Sequence, residues 1–411
     1  MILNHTCRHC EAPLSERFLD LGHAPLSNGY LDAAALQAPE VTYPLRLSVC
    51  SRCWLVQTED YASAADVFKA DYAYFSSTSH SWVDHAKRYT DMIVDRLGLA
   101  SDSFVIELAA NDGYLLQHMQ SVGVPCMGVE PTTATADAAR TKGIDIIEDF
   151  FCLALAKKLV AQGRSADLIV GNNVYAHVPD INDFTQGIAT ILKPDAVVTL
   201  EFPHLMRLVE HRQFDTVYHE HFSYLSLLTI QRIFEANGLR VVDAEELPTH
   251  GGSLRVYGCR AEAHHTVAST VERLLTKERA RGMDTVAFYK GFQAAAETVK
   301  NTALRFLLDA KRDGKIVAGY GAAAKGNTLL NFAGIRPDLL PRVHDAATAK
   351  QNKFLPGSHI PILAPSALDT IRPDYVVILP WNIADEVRGQ LAHLAELGTR
   401  FVTFVPELAV S

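Results

Sequence analysis

The chain has 411 residues, of which 48% are hydrophobic and 21% charged, and its formal net charge is −9. This composition is typical of a globular chain of two or three domains and excludes disorder, and the acidic balance argues against a nucleic-acid partner because phosphates need a basic face. No apolar run approaches the length of a membrane span and no apolar leader opens the chain, so we expect a cytoplasmic protein without a membrane partner, either a monomer or a small homo-oligomer.

Two Cys-x-x-Cys pairs lie near the start of the chain. Cys7-Arg-His-Cys10 is followed by Cys50-Ser-Arg-Cys53. Two such pairs can bring four thiolates to one tetrahedral Zn²⁺ at about 2.3 Å, whereas a redox dithiol needs a single pair. The sequence therefore predicts a structural zinc site without an open position for substrate. It would stabilise a module of residues 1–66 that is too small to depend on apolar burial alone.

Strands and helices alternate in the next part of the chain, after a helix predicted over residues 82–99. We expect strands at 103–108, 125–130, 166–170 and 196–201, with helices at 113–122 and 135–142. Alternation at this spacing predicts an α/β fold with a parallel, doubly wound sheet. We assign it to a Rossmann-like domain of residues 67–261.

The remainder of the chain repeats this pattern after a helical stretch. Residues 262–312 contain no proline and carry apolar residues at helical spacing, which predicts a helical connector. Further strands are expected at 315–321, 343–345, 360–362, 375–379 and 400–404. These strands predict a second, smaller Rossmann-like domain over residues 313–411.

Acidic residues at the ends of predicted strands indicate a nucleotide-type cofactor, because ligands of open parallel sheets bind at the carboxyl ends of the strands. The first strand ends in Glu107-Leu-Ala-Ala-Asn-Asp-Gly113, which resembles the nucleotide loop of class I S-adenosylmethionine methyltransferases. The second strand ends in Glu130, where an acid can accept both ribose hydroxyls. Asp149 and Phe150 follow a further strand expected after the helix at 135–142, where they can hold adenine. An NAD site is the alternative, but this loop lacks G-x-G-x-x-G.

The densest run of titratable side chains is Asp215-Thr-Val-Tyr-His-Glu-His-Phe-Ser-Tyr-Leu-Ser226. A histidine can remove a carbon-bound proton when a neighbouring ketone acidifies that carbon, and tyrosine or glutamate can orient the imidazole or hydrogen-bond the enolate. His-x-His also suggests a metal site, but no third ligand stands at suitable spacing. The run therefore predicts a general base, with a loop of packed polar residues as the alternative.

Motifs along nearly the whole chain share the order found in one enzyme family. They are the two Cys-x-x-Cys pairs, Tyr72-Ala-Tyr-Phe-Ser-Ser77, Asn111-Asp-Gly113, Glu130-Pro131, Asn172-Asn-Val-Tyr-Ala-His177, Tyr218-His-Glu-His-Phe222, His250-Gly-Gly252 and Tyr320-Gly-Ala-Ala-Ala-Lys-Gly-Asn327. Together they resemble the deoxysugar C-methyltransferases, which methylate C3 of nucleotide-linked 4-keto-6-deoxy sugars. The resemblance implies a class I methyltransferase fold, S-adenosylmethionine as cofactor and a structural Zn²⁺.

The resemblance also implies roles for single residues. His221 is implied as the base, with Glu220, Tyr218, His177 and Tyr74 around it. Relatives often carry a second tyrosine where this chain has Phe75. The implied cofactor ligands are Glu107, Ala109, Asn111, Asp112, Gly113, Glu130, Asp149, Phe150, Asn172 and Asn173, and the implied sugar ligands are Tyr72, Tyr224, His250 and Gly251.

The second Rossmann-like domain is expected to hold the nucleotide diphosphate of the substrate, from thymidine or guanosine. Gly319-Tyr-Gly-Ala-Ala-Ala-Lys325-Gly-Asn forms a strand-to-helix turn whose N–H groups can face a phosphate, with the lysine as counter-charge. A second polar loop follows before the next strand. The predicted substrate ligands of this domain are Gly321, Lys325, Asn327, Lys350 and Asn352. The alternative is a degenerate duplicate with a structural role.

Three other functions compete with C-methylation. A sugar O-methyltransferase and an epimerase would use the same class of substrate, and a zinc-ribbon binding protein would carry a vestigial methyltransferase fold. The acidic charge and the intact cluster of Tyr218, Glu220 and His221 favour an enzyme over the binding protein.

Overall fold

The computed structural model of the protein describes residues 6–61 and 75–411. Three sheets of four, seven and six strands organise these residues. Within the two described ranges, no helix is long and apolar enough to cross a membrane.

The strands follow the alternation expected from the sequence, with additions. The first two sheets contain β1 (Glu16–Ala24), β2 (Tyr43–Val49), β3 (Val56–Thr58), β4 (Val105–Leu108), β5 (Cys126–Val129), β6 (Asp145–Ile147), β7 (Ala166–Asn172), β8 (Leu192–Pro203), β9 (Ser223–Tyr224), β10 (Leu239–Leu247) and β11 (Ser253–Arg260). The third sheet contains β12 (Val317–Tyr320), β13 (Val343–His344), β14 (Ile362–Leu363), β15 (Tyr375–Ile378), β16 (Arg400–Thr403) and β17 (Ala409–Val410).

The α-helices lie between the strands and in the connecting segment. They are α1 (His80–Leu97), α2 (Leu116–Ser121), α3 (Thr133–Thr141), α4 (Leu153–Ala161), α5 (Ile181–Ile191), α6 (Leu205–Glu210), α7 (Leu227–Ala236), α8 (Ser269–Ala280), α9 (Val286–Tyr289), α10 (Phe292–Arg312), α11 (Ala324–Ala333), α12 (Ala367–Ile371), α13 (Ala384–Gln390) and α14 (Ala392–Glu396).

The central sheet has the strand order β10-β11-β8-β7-β4-β5-β6. Strands β4 to β8 are parallel, and β4 is buried along its whole length, as expected for a strand covered on both faces. The predicted parallel sheet is confirmed for β4 to β8, but the edge was not predicted: β11 runs antiparallel to β8 and β10. A short loop joins β10 to β11, and only antiparallel neighbours can be joined so directly. The strand order reverses between β4 and β7, which places a ligand crevice beyond their carboxyl ends.

The N-terminal sheet contains a strand from a distant part of the sequence. Its order is β1-β2-β3-β9, and all its pairings are antiparallel. Val56 pairs with Tyr224 and Gln57 with Ser223, so β9 belongs both to this module and to the run of titratable residues. The pairing of β3 with β9 therefore fixes the position of that run relative to the N-terminal module.

The C-terminal sheet has the order β14-β13-β12-β15-β16-β17. All pairings are parallel except that of β17 with β16. The turn after β12 leads into α11, as predicted for a Rossmann-like domain.

The segment over residues 262–312 is helical and packs closely against both preceding domains. Glu278 of α8 is buried, accepts a hydrogen bond from the Leu227 N–H at 2.8 Å and lies 2.7 Å from His204 Nε2. Phe292 at the start of α10 stacks on Phe18 of β1, with ring centres 4.7 Å apart. These contacts fix the N-terminal module against the methyltransferase sheet.

Candidate active site

The four cysteines of the two Cys-x-x-Cys pairs form one cluster, which confirms the predicted grouping. All four Sγ atoms lie within 4.8 Å of one another, with Cys7 to Cys53 at 3.4 Å and Cys10 to Cys50 at 3.5 Å. A tetrahedral ion with Zn–S bonds of about 2.3 Å needs Sγ separations of about 3.8 Å. The cluster therefore fits one Zn²⁺ with four sulfur ligands and no open position.

The turn after β4 has the backbone shape of a nucleotide loop. Ala109, Asn111 and Gly113 all have positive φ angles, of 56°, 49° and 75°. At Gly113 a Cβ atom would stand 2.2 Å from Ile144 Cδ1, so only glycine fits. Glu130, at the end of β5, accepts a hydrogen bond from the Asn111 N–H at 2.9 Å and holds this turn in place.

Several buried polar atoms at the carboxyl ends of β4 and β7, beside this turn, lack hydrogen-bond partners. In the described chain, Glu107 Oε2, Asp112 Oδ1 and both polar atoms of Asn172 are buried and make no hydrogen bond. Burial, reinforced by the neighbouring Asp112 and Glu130, raises the pKa of Glu107 well above its usual value. Asp112 is partly satisfied, because its Oδ2 accepts from Ser77 and lies 3.6 Å from Lys142 Nζ, but the unpaired oxygens are costly to bury. A ligand with hydrogen-bond donors, such as S-adenosylmethionine, fits these acceptors.

The rim of the crevice carries the two residues expected to hold adenine. Asp149 and Phe150 follow β6, and 46% of Phe150 is exposed. Asn173 lies at the opposite end of the crevice, with a φ of 53° and its Nδ2 3.0 Å from His250 Nε2. The predicted cofactor residues thus line one continuous edge of the sheet.

The predicted base, His221, is buried beside two other members of the predicted catalytic set. Its ring centre lies 4.1 Å from that of Tyr218 and 4.6 Å from that of His177. Its Nδ1 lies 3.0 Å from the Thr216 carbonyl oxygen. Because a carbonyl oxygen only accepts, Nδ1 must donate the proton, and Nε2 keeps its lone pair.

Burial keeps the histidines of this cluster neutral. It lowers the pKa of His221 well below its usual value, and the neighbouring His177 lowers it further. Burial likewise lowers the pKa of His177 to about 4, although a hydrogen bond with the backbone of Glu220 opposes the shift. At neutral pH these imidazoles are unprotonated, as a general base must be.

Glu220 is oriented by the N-terminal module. Its two carboxylate oxygens accept from Asn28 Nδ2 at 2.8 and 3.0 Å. Tyr224, in β9, is buried with its ring centre 5.9 Å from that of His221, and burial raises the pKa of its hydroxyl. The loop that carries Asn28 was not predicted to reach this site, because no local pattern marks it.

The C-terminal domain contributes a lysine near the same histidines. Lys325 Nζ donates to Asn382 Oδ1 at 2.7 Å and lies 4.9 Å from the centre of the Trp381 ring. Burial lowers the pKa of Lys325 to about 8, while Asp215 opposes the shift. The charge of Lys325 in turn lowers the pKa values of His221 and His250, so the lysine acts on the cluster from across the domain boundary.

Asp215 and Trp381 join the two domains at this point. Trp381 Nε1 donates to Asp215 Oδ2 at 2.7 Å. Burial raises the pKa of Asp215 to about 6, although Lys325 lowers it. A Cβ at Gly251 would stand 2.3 Å from Trp381 Cη2, which explains the glycine after His250. Neither Trp381 nor Asp215 was predicted as a site residue.

The other predicted substrate ligands of the C-terminal domain lie around the turn after β12. Gly321 has a φ of 87°, and Lys350 Nζ donates to the Ala322 carbonyl at 2.9 Å. Asn327 Nδ2 donates to the carbonyl of Ser27 at 2.6 Å. The remaining one, Asn352, has a φ of 62° and bonds through its backbone N–H to Ile362 at 2.9 Å. These residues are engaged with the protein itself.

A buried ionic network lies beneath the site and was not predicted. Glu201 at the end of β8 lies 2.7 Å from Arg255 Nη2 and 2.9 Å from His85 Nε2, and accepts from Thr249 Oγ1 at 2.9 Å. Burial alone would raise the pKa of Glu201, but His85 and Arg255 lower it to about 2. No local pattern marks this network, because the partners come from three separate elements.

Tyr72 and Tyr74, which were expected at the sugar, lie outside the described residues.

Three family descriptions together match most of the chain. Residues 7–68 match the family named "Putative zinc binding domain", residues 82–244 match "Methyltransferase domain", and residues 248–406 match "C-methyltransferase C-terminal domain". With the sheet order, the glycine-containing turn and the cysteine cluster, they define a class I S-adenosylmethionine-dependent methyltransferase with an N-terminal zinc-binding domain.

A curated relative narrows this class. C-methyltransferase NovU of Streptomyces niveus is 34% identical over 401 residues, which cover 98% of this chain and 95% of NovU. The chain therefore belongs to the C-methyltransferase family, and it is an enzyme. This finding removes the alternative of a binding protein with a vestigial fold.

Solved methyltransferase structures match a smaller part of the chain. Magnesium protoporphyrin IX methyltransferase from Synechocystis PCC 6803, with bound S-adenosylmethionine, matches 44% of this chain and 81% of its own at 15% identity and a TM-score of 0.33. The CcbJ methyltransferase from Streptomyces caelestis matches 43% and 94% at 12% identity and a TM-score of 0.34.

Proposed function

We propose that this enzyme methylates C3 of a nucleotide-linked 4-keto-6-deoxy sugar, with His221 as the base. The observation that carries the proposal is the buried, neutral His221, whose Nδ1 is held by the Thr216 carbonyl at 3.0 Å. Methylation at carbon needs a nucleophilic carbon, and a ketone next to a C–H bond provides one once a base removes the proton. A neutral imidazole with a fixed tautomer suits that step.

The reaction balances with the groups present in the site. His221 Nε2 takes the C3 proton, and the electrons of the C–H bond pass into an enolate whose oxygen is the former C4 ketone. Tyr218, with its ring next to His221, donates a hydrogen bond to that oxygen, and Tyr74 is proposed to assist. His177 packs on the other side of the base with its N–H bound to the Glu220 backbone, and it is proposed to help by holding this segment beside the enolate. S-adenosylmethionine, when bound, supplies the methyl group that C3 takes up as the carbon–sulfur bond breaks.

The cofactor is proposed to lie along the edge from β6 to β7. Glu130 would bind the ribose hydroxyls, and Asp149 and Phe150 the adenine. Glu107 and Asn172 have buried polar atoms without partners in the described chain, and they would face the methionine part. Ala109, Asn111, Asp112, Gly113 and Asn173 would shape the same crevice.

The nucleotide sugar is proposed to reach this crevice from the C-terminal domain. Lys325 is the proposed partner of the diphosphate, because it is a cation beside the turn after β12 whose charge reaches His221 and His250. His250, Gly251, Tyr224 and Tyr72 would line the sugar. Gly321, Asn327, Lys350 and Asn352 would support the turn that carries the lysine. The nucleotide would be thymidine or guanosine diphosphate.

Isotope exchange separates this proposal from its rivals. The enzyme is incubated in deuterated water with a panel of 4-keto-6-deoxy nucleotide sugars, with and without S-adenosylmethionine, and the products are read by mass spectrometry and NMR. We expect a product with a new carbon–carbon bond at C3 and no C3 hydrogen. A methylated product that keeps its C3 hydrogen would indicate O-methylation. Exchange with inverted C3 and no methyl transfer would indicate an epimerase.

A further inference from the structure

Arg8 follows Cys7 of the cysteine cluster, but its guanidinium group bonds to other parts of the protein. Only 7% of the side chain is exposed. Its Nη1 donates to the Pro179 carbonyl at 2.8 Å, and its Nη2 donates to the Thr58 carbonyl at 3.0 Å and to Asp60 Oδ1 at 2.8 Å. One guanidinium group therefore bridges two segments that are far apart in the sequence.

Both segments lead directly to a histidine of the catalytic cluster. Pro179 stands two residues after His177. Thr58 donates its N–H to the Phe222 carbonyl at 3.1 Å, and the guanidinium carbon lies 5.4 Å from the centre of the Phe222 ring. Phe222 follows His221 directly. The Phe222 N–H also donates directly to the Ala176 carbonyl at 2.8 Å, so the arginine braces from outside two backbones that touch at the histidine pair.

The backbone of Arg8 is connected to the cysteine cluster through Gln57. The Arg8 N–H donates to Gln57 Oε1 at 2.9 Å, while Gln57 Nε2 donates to Cys7 Sγ at 3.2 Å. Gln57 also pairs with Ser223 in the N-terminal sheet. A tetrahedral ion would fix the position of Cys7, and this chain of contacts would pass that position on to the catalytic loop.

We propose that Arg8 is a positioning residue that sets the distance between His177 and His221, and that the zinc site serves catalysis through it. The inference rests on the proposed function of those two histidines. A planar guanidinium is needed because it serves several acceptors from one rigid group, whereas a lysine presents a single flexible ammonium. Displacement of catalytic groups by about 1 Å can cost about 100-fold in rate.

The test compares Arg8→Ala and Arg8→Lys with the control Arg52→Ala, which removes an exposed arginine from the second Cys-x-x-Cys pair. For Arg8→Ala we expect kcat to fall about 10- to 100-fold with KM for both substrates within about twofold. Arg8→Lys should lie between it and the wild type. Zinc content should stay at about one per chain in all variants, as in the wild type.

Hydrogen exchange measured by mass spectrometry gives a readout that does not depend on activity. Exchange should rise in residues 56–61, which Arg8 bonds directly, and in residues 175–180 and 218–225 of Arg8→Ala, and remain unchanged elsewhere and in Arg52→Ala. Loss of zinc, or faster exchange throughout the protein, in both Arg8 variants would reduce Arg8 to a structural role and overturn the proposal. An unchanged kcat in a folded variant, or faster exchange in only one of the segments, would overturn it too.

A wild-type enzyme that neither exchanges nor methylates C3 in the sugar panel would refute the proposed function instead. The exchange data on the two segments would still show whether Arg8 holds them.

Discussion

The two Rossmann-like units of this chain use the same device at the same place. In the methyltransferase domain, the acid at the end of the second strand, Glu130, accepts the N–H of Asn111 in the turn after the first strand at 2.9 Å. In the C-terminal domain, Asp345 takes the corresponding position and accepts the N–H of Ala322 at 2.7 Å. Each acid holds in place the turn after the first strand, which is where Rossmann folds commonly bind their ligands.

What surrounds that device differs between the two units. Beside the first turn, Glu107 and Asn172 keep buried polar atoms without partners among the described residues. Beside the second turn, the chain fills the space itself, because Tyr30 donates to the Ala322 carbonyl at 2.6 Å and Lys350 to the same oxygen at 2.9 Å. The same turn is therefore bordered by unpaired polar atoms in one unit and closed by contacts within the protein in the other. In the second unit this leaves Lys325, in the helix after the turn, as the proposed contact with substrate.

Replacing the proposed base should lower the reaction rate more than any other change. It tests whether the methyltransferase domain supplies the group that removes the C3 proton. His221→Asn should lower methyl transfer and C3 hydrogen exchange by about 100- to 10,000-fold, the usual contribution of a positioned base. Glu220→Gln is the matched control and should do less harm, because a neutral amide still bonds with Asn28. Rates are measured by single-turnover assays. Wild-type exchange in His221→Asn would pass the role to another residue of the cluster.

A paired substitution tests the difference between the two turns directly. Glu130→Ala should weaken S-adenosylmethionine binding by about 1–3 kcal/mol, because polar partners lose their acceptor. Asp345→Ala removes the equivalent acid from the second turn and should leave that affinity unchanged. Isothermal titration calorimetry on both variants provides the check. Equal losses of affinity would mean that the two units do not divide the ligands as proposed.

The pH dependence of substrate capture tests the proposed role of the second unit. The pKa of Lys325 is lowered to about 8, so the side chain is charged below that pH and loses its charge as pH rises. We expect kcat/KM for the nucleotide sugar to fall about tenfold per pH unit above pH 8. Lys325→Arg should lack this decline, since arginine stays charged.

The same pH series has an internal control. S-adenosylmethionine affinity should not follow the charge of Lys325, and Lys325→Ala should raise KM for the nucleotide sugar alone. A decline that persists in Lys325→Arg would assign the titration to another group.

The smallest effect is expected where the second turn is filled. Tyr30→Phe removes one buried hydrogen-bond donor and should lower the free energy of unfolding by about 0.5–1.5 kcal/mol. KM for both substrates should change less than twofold, because this hydroxyl donates to a protein group, the Ala322 carbonyl. Urea denaturation measures the first quantity and steady-state kinetics the second. A tenfold rise in KM without loss of stability would make this turn a ligand site.

Local patterns in the sequence carried most of the fold. The Cys-x-x-Cys pairs, the alternation of strands and helices and the acids at strand ends depend on neighbours in the sequence, and the structure brings them together as expected. The antiparallel β10 and β11 were not predicted, because strand–helix alternation indicates only parallel strands. These two strands are consecutive and joined by a short loop.

The parts of the site that escaped prediction depend on contacts between distant residues. Asn28 reaches Glu220, Trp381 reaches Asp215, and Arg8 reaches Pro179, each across more than a hundred residues. No periodicity or motif in one sequence marks such pairs, because their side chains are ordinary for the loops in which they lie. Such contacts can be found only once the fold has placed the loops together.

The pairing of β3 with β9 has a consequence for how the chain folds during synthesis. Val56 can pair only after Tyr224, about 170 residues further along the chain, has been synthesised. At ribosomal rates, synthesis of this stretch takes roughly 10 to 30 s. During that interval the small N-terminal sheet presents an unpaired edge, the kind of surface at which chains associate wrongly. Since the late strand adjoins His221, the catalytic loop would reach its final position only after this pairing has formed.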